Sequence, residues 1–219
     1  METISLAINS HKPVIEWLEK TLSTAKGFDE IVLYVQEVDD KKLEQIHSWD
    51  IPEMKVLYDA KLRTITKGFN YAISKTTSDW VCSFCDDDWF IGENLKRLLD
   101  EIRGGRYKDA DVIHFKVQTD NGFSWGAQSF TLEGLREVNQ IPHGSFFRKA
   151  FFEKIGGYKT ENGTDWNFWI RAMEQGARFA NFNKDVYYFR TDTGGRSAYQ
   201  RQLNNAGYGG MKAEVNNVK

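Results

Sequence analysis

The sequence predicts an α/β fold built around a largely parallel sheet. Short apolar runs suited to strands alternate with amphipathic helical stretches from Ile4 to Phe84. One of these runs, Ile31–Val35, is apolar throughout, as in a strand covered on both faces. Each interval between strand-like runs also holds a helix-length segment, the spacing of right-handed βαβ crossovers. In such sheets ligands bind beyond the carboxyl ends of the strands.

Taken in order, Ile4–Ile8 reads as a strand, and Pro13–Thr24 as a helix with Val14, Ile15, Leu18 and Leu22 on one face. Ile31–Val35 is the second strand, Asp39–His47 the second helix and Met54–Tyr58 the third strand. Thr64–Ser74 carries Ile65, Phe69, Ala72 and Ile73 at helical spacing and leads into a strand at Trp80–Phe84. After Asp88 the rhythm changes. Glu93–Ile102 reads as a helix stopped at Gly104-Gly105, Val112–Val117 as a strand, and Gly122–Thr131 as a glycine- and aromatic-rich hairpin or loop. His143–Arg148 reads as a strand, followed by a short helix to Ile155 and a turn at Gly156-Gly157. Thr164–Glu174 reads as a helix ended by Gly176, with strands near Arg178–Phe182 and Val186–Phe189. The stretch 191–219 is rich in Gly, Asn and charge and reads as a flexible loop and tail. No repeat or linker divides residues 1–190, so the two halves (about 1–90 and about 91–190) form one folded unit.

Composition narrows the function. With 219 residues, 41% hydrophobic and 14% aromatic, the chain can bury a sizeable core and is not disordered. A net charge of −2 argues against gripping nucleic acid as its main work. No apolar run approaches the ~20 residues that span a bilayer. The start, Met1-Glu2-Thr3-Ile4-Ser5-Leu6, lacks the basic segment and apolar core of a signal peptide, so a cytoplasmic protein is expected. Cys82 and Cys85 have CxxC spacing, but they fall in or beside a strand and no second pair completes a zinc site; both read as buried structural thiols.

The chemistry concentrates where the strand Trp80–Phe84 runs into Cys85-Asp86-Asp87-Asp88 and then Trp89-Phe90. Adjacent carboxylates repel, and folding alone gives no reason to end a buried strand this way. A hard divalent cation does, because it takes oxygen ligands and usually holds a substrate phosphate too. An acidic surface loop is the ordinary alternative. A second locus is Gly163-Thr164-Asp165-Trp166, where Asp165 falls in the first turn of a helix and free N–H groups favour a carboxylate. Trp166, Trp169, Ile170 and Met173 share one face of that helix, the pattern of a core-facing stripe.

The order of these features resembles the family-2 glycosyltransferases, nucleotide-sugar enzymes of the GT-A fold, a Rossmann-like, mixed but mostly parallel sheet flanked by helices. Ser5–Lys12 is similar to the family's opening strand and turn, and Gly68–Ile73 with Ser78–Val81 to the elements before its DXD motif. Cys85-Asp86-Asp87-Asp88 holds the DXD position, and Phe147–Tyr158 with Thr164-Asp165-Trp166 is similar to the segment ending in its Glu-Asp motif. The likeness runs in order over about residues 3–190, and it implies a nucleotide-binding half (about 1–90) and an acceptor half (about 91–190).

The resemblance implies transfer of a sugar from a nucleotide diphosphate, a UDP-sugar first, to an acceptor hydroxyl. Asp86 and Asp88 would hold Mn²⁺ or Mg²⁺, with Asp86 also near the ribose and Asp87 the alternative ligand. Asp165 matches the base of an inverting displacement. Asn9 and Ser10 match the turn bordering the base, and Gln36, Glu37 or Asp39 stands where the family places an aspartate. Lys67 or Arg63 could meet the diphosphate. Arg190 and Arg196 lie in a segment similar to the loop that closes over it, and His143 is a further candidate at the site. Thr164 replaces the first residue of the Glu-Asp motif. Phe123, Trp125, Trp166 and Trp169 could stack on a sugar or base, or simply pack in the core. The acceptor stays open among glycans, lipid-linked glycans, proteins, small molecules and modified nucleic-acid bases. Two other classes also stay open. A nucleotidyltransferase would want a glycine-rich N-terminal loop where Asn9-Ser10-His11-Lys12-Pro13 has none. A non-catalytic nucleotide-sugar-binding protein would have no use for Asp165.

Overall fold

The computed structural model describes residues 1–59, 63–119 and 122–191, together with Lys212, Asn216 and Asn217. Strand β1 (Ile4–His11) is buried from Ile4 to Ser10 and forms the spine of the fold. It pairs in parallel with β2 (Glu30–Gln36) on one side and β4 (Trp80–Phe84) on the other, while β3 (Met54–Tyr58) extends the sheet beyond β2. The crossovers are α1 (Ile15–Thr24), α2 (Asp40–His47) and α3 (Ile65–Ser74). Asp39 and Thr64 cap α2 and α3 with their side chains, accepting the N–H groups of Lys42 and Lys67.

The second half adds β5 (Trp89–Phe90), α4 (Gly92–Arg103), β6 (Val112–Thr119), β7 (Ser124–Trp125) and α5 (Leu132–Glu137). It continues with β8 (Phe146–Arg148), α6 (Lys149–Lys154), α7 (Thr164–Glu174) and β9 (Phe179–Phe189). Among the described residues one mixed sheet of nine strands runs in the order β3-β2-β1-β4-β8-β6-β9-β5, with β7 paired to β6. Strand β8 is antiparallel to both neighbours, and β9 returns parallel to β6.

The pleat of β1 divides the core into two layers. Ile4, Leu6 and Ile8 pack with Leu18 and Leu22 of α1 and with Leu95, Leu98 and Ile102 of α4. Ala7, on the opposite face, packs with Val32 and Val81 against Phe69 and Ala72 of α3 and Trp166 and Trp169 of α7. Burying each large aliphatic side chain contributes about 1.5–3 kcal/mol. This packing fixes α7 against the sheet and so fixes the place of Asp165.

Several boundaries differ from expectation for physical reasons. Strand β1 runs on to His11 because Asn9 and Ser10, polar as they are, lie buried in the sheet. The two strands expected at Arg178–Phe182 and Val186–Phe189 are one strand, β9, whose register against β6 shifts on either side of Lys116. Helix α5 has six residues, too few for a helical period to emerge from the sequence. Strand β5 has two and is held by pairing with Tyr187 and Tyr188. No helix of the described residues is long and apolar enough to cross a membrane. Most of 191–219, including Arg196, lies outside the described residues.

Candidate active site

A cleft of about 560 Å³ opens at the carboxyl ends of β1 and β4. Asp86, Asp87 and Asp88 line it together with Asp165 from the first turn of α7. The two acidic loci, about eighty positions apart in the sequence, therefore share one cavity.

The acidic turn is held from three directions. The Ser10 hydroxyl donates to Asp86 Oδ2. The Thr21 hydroxyl of α1 donates to the Asp88 carbonyl oxygen at 2.6 Å, and the Arg190 N–H donates to Asp88 Oδ1 at 2.9 Å. Beside it, the Arg190 guanidinium sits 3.9 Å over the Trp17 ring. Burial is the main reason that these carboxyls resist ionisation. It pushes Asp86 up to about 6, with the Ser10 hydroxyl opposing and the Asp87 charge adding. Burial and then the Asp87 charge hold Asp88 well above the ordinary carboxylate range. Asp87 is also raised by burial, against the charge of Arg190.

One ligand atom each from Cys85, Asp87 and Asp88 lies within 4.8 Å of the others. A divalent cation fits this donor set: carboxylate oxygens suit Mg²⁺ and Mn²⁺, and sulfur adds a softer ligand. Asp86 stands outside that trio, bound to Ser10. The two cysteines thus part company. Cys82 is buried, its Sγ 3.1 Å from the Gly144 carbonyl oxygen, whereas Cys85 lines the cleft. Burial, then the three neighbouring carboxylates, push the Cys85 thiol well above its usual range.

Also lining the cleft, the first turn of α7 begins after Gly163, whose φ of 58° lies in the left-handed region that glycine adopts freely. Asp165 Oδ2 accepts the amide Nδ2–H of Asn139 at 2.9 Å. Thr164 lines the cleft too, its hydroxyl engaged elsewhere, donating to the Thr160 carbonyl at 2.9 Å and lying 3.2 Å from Thr66 Oγ1. The Glu161 carboxylate, also at the cleft, accepts the Thr64 hydroxyl at 2.6 Å. His143 lines the cavity with its ring 4.8 Å from Phe69.

At the end of β1 Asn9 lines the cleft and Gln36 stands behind it. Gln36 Nε2 donates to Asn9 Oδ1 at 2.8 Å, and Gln36 Oε1 accepts the Arg63 N–H at 2.7 Å, so both ends of the Gln36 amide are used. A side chain on Gly68 would bring a Cβ within 2.5 Å of Asn9 Oδ1, so the helix needs glycine at this approach. Lys12 (φ 54°) and Glu37 (φ 47°) both adopt the left-handed region just past the ends of adjacent strands, and Lys12 Nζ pairs with Glu37 at 2.8 Å. That contact lowers the Glu37 carboxyl below its usual range. Ser10 is fully buried, Lys67 is exposed and outside the cleft lining, Asp39 is occupied as the α2 cap, and Arg63 pairs with Asp59 at 2.9 Å.

Of the aromatic candidates, Trp166 and Trp169 are core residues, Phe123 is exposed and Trp125 lines the cleft. Trp17, Asn139, Glu161 and Tyr187 line it too, without having been evident from the sequence. Trp17 sits one position from an apolar helical stripe, and Asn139 in a segment with no periodic signal.

The profile of Glycosyl transferase family 2 matches residues 6–186. Among solved structures, S. aureus TarS 1–349 in complex with UDP-GlcNAc is similar with a TM-score of 0.72 and 17% identity, over 90% of this chain and 60% of that one. The same TarS fragment with UDP gives a TM-score of 0.69 and 17% identity, over 86% and 60%. S. aureus TarS without the truncation gives 0.70 and 16%, over 97% and 42%. The chain thus spans about 60% of the length of the ligand-bound TarS fragments, and at these identities the likeness is one of fold. No protein of curated function matches it in sequence.

Proposed function

The chain belongs to glycosyl transferase family 2 and is a glycosyltransferase of the GT-A fold, and on that premise we propose that it moves a sugar from a UDP-activated donor to an acceptor hydroxyl by a single, inverting displacement. Family membership favours this reading over a nucleotidyltransferase, and Asp165 in the cleft favours it over a non-catalytic binder. The UDP-GlcNAc and UDP held by the TarS structures favour a uridine donor, with UDP-GlcNAc the first to try.

The observation that carries this reading is the shared cleft, lined by Asp86, Asp87 and Asp88 and also by Asp165. An alcohol is a poor nucleophile at neutral pH, so a positioned base is needed. Asp165 takes the acceptor proton as the hydroxyl oxygen bonds to the anomeric carbon, and the bond from that carbon to the diphosphate oxygen breaks on the opposite side. Asp87 and Asp88, with Cys85 beside them, would hold Mn²⁺ or Mg²⁺, and Asp86 would serve the ribose side. A bound cation would supply Lewis-acid neutralisation of the departing diphosphate. Asn9, backed by Gln36, borders the nucleotide base, and Arg190 stands next to the diphosphate end through its contact with Asp88.

The test is UDP release from UDP-GlcNAc with Mn²⁺, in wild type and Asp165→Asn. The variant should bind UDP as wild type does while turnover falls about 10²–10⁴-fold, the scale of a lost general base. Undiminished turnover would remove the mechanism.

A further inference from the structure

Asn139 lies in the segment after α5, where it meets the first turn of α7. Its Oδ1 accepts the Ile141 N–H at 3.2 Å, and its Nδ2 donates to Asp165 Oδ2 at 2.9 Å. The amide can sit only this way round. Reversed, it would set a carbonyl oxygen against the carboxylate and an NH₂ against a backbone N–H. The segment is itself stapled to α7. The Trp166 indole N–H donates to the Leu135 carbonyl oxygen, Arg136 pairs with Glu174 at 2.6 Å, and Leu135 is fully buried. Upstream, the Ala127 N–H donates to the Gln140 carbonyl at 3.0 Å. Asn139 and Asp165 both face the cleft.

We propose that Asn139 is the positioning residue for the base: it occupies one carboxylate oxygen of Asp165, so that the other, Oδ1, meets the acceptor hydroxyl. This rests on the reading of Asp165 as the base. The donated N–H limits the carboxylate's rotation, so a single oxygen is aligned for proton transfer. A short polar segment that no periodicity marks thus sets the geometry of the acceptor half.

Two variants test it, Asn139→Asp, which keeps the shape but replaces the donor with a second carboxylate, and Asn139→Ala, which removes the amide. Turnover of UDP-GlcNAc to water with Mn²⁺ should fall about ten- to hundredfold, the scale of one charge-assisted hydrogen bond, while UDP affinity measured by calorimetry stays within about twofold. The loss should fall on kcat, with KM for UDP-GlcNAc within about twofold of wild type in both. Independently of activity, a crystal structure of Asn139→Ala should show the Asp165 carboxylate rotated from its wild-type orientation. If turnover is unchanged in variants whose melting is unchanged, or the Asp165 carboxylate keeps its orientation in Asn139→Ala, the proposal is overturned. If the carboxylate rotates but Asp165→Asn keeps full turnover, the contact stands and the base assignment fails.

Discussion

Replacing Asp86 with Asn should make the cation-free protein more stable at neutral pH. Burial raises the Asp86 carboxyl from 3.8 to about 6 in the folded chain. Below the unfolded value both states hold the proton, and Asp86 costs nothing. Between the two values the folded state keeps a proton that the unfolded state releases, so stability falls as pH rises, and above about 6 the whole penalty is present. The full interval corresponds to about 3 kcal/mol. Asp86 is only half-buried at the cleft wall, so solvent screening leaves about 1–2 kcal/mol. Asparagine keeps an oxygen to accept the Ser10 hydroxyl and carries no charge. For a chain of this length the gain is about 3–6 °C in Tm. The assay is thermal melting in chelator for wild type and Asp86→Asn, near pH 8 and near pH 4, with most of the gain expected at the higher pH. A variant that melts lower near pH 8, or gains equally at both values, would refute the reasoning.

Three other outcomes are expected. Cys85→Ser should lower the ratio of Mn²⁺ to Mg²⁺ affinity, measured by calorimetry with UDP present, because it removes the soft donor beside Asp87 and Asp88; an unchanged ratio would take Cys85 out of the site. Burial depresses His114 from 6.5 to about 4, so the unfolded chain binds a proton that the folded chain refuses, and about 3 kcal/mol of stability should be lost as pH falls through that window. Urea unfolding of wild type and His114→Phe near pH 7 and near pH 5 checks this, since the variant should lose less on acidification. Gly68→Ala, which in an ordinary helix interior stabilises by up to about 1 kcal/mol, should instead destabilise and weaken UDP binding, because the new Cβ pushes on Asn9.

Much of this architecture is legible in the chain because its first half follows simple periodicities. Met54–Tyr58, Trp80–Phe84 and Thr164–Glu174 have the boundaries that alternation and helical spacing predict. What escapes is polar or short. Asn9 and Ser10 look like a turn yet are strand residues, because Gln36 and Asp86 supply the partners that make their burial tolerable. Helix α5 rests on a local Thr131 cap and the burial of Leu135, and strand β5 on pairing with β9. At the site, the run of three aspartates and the helix-start aspartate announce themselves by charge. Asn139 and Trp17 do not, since nothing in a lone asparagine or tryptophan tells which cavity it will face.

The most direct measurement is a crystal structure of the Asp165→Asn protein with intact UDP-GlcNAc and Mn²⁺. The account predicts the diphosphate against the Asp87–Asp88 turn and the anomeric carbon turned towards residue 165, with room between them for one hydroxyl. A donor bound with its diphosphate away from that turn, or with the anomeric carbon facing away from residue 165, would contradict it.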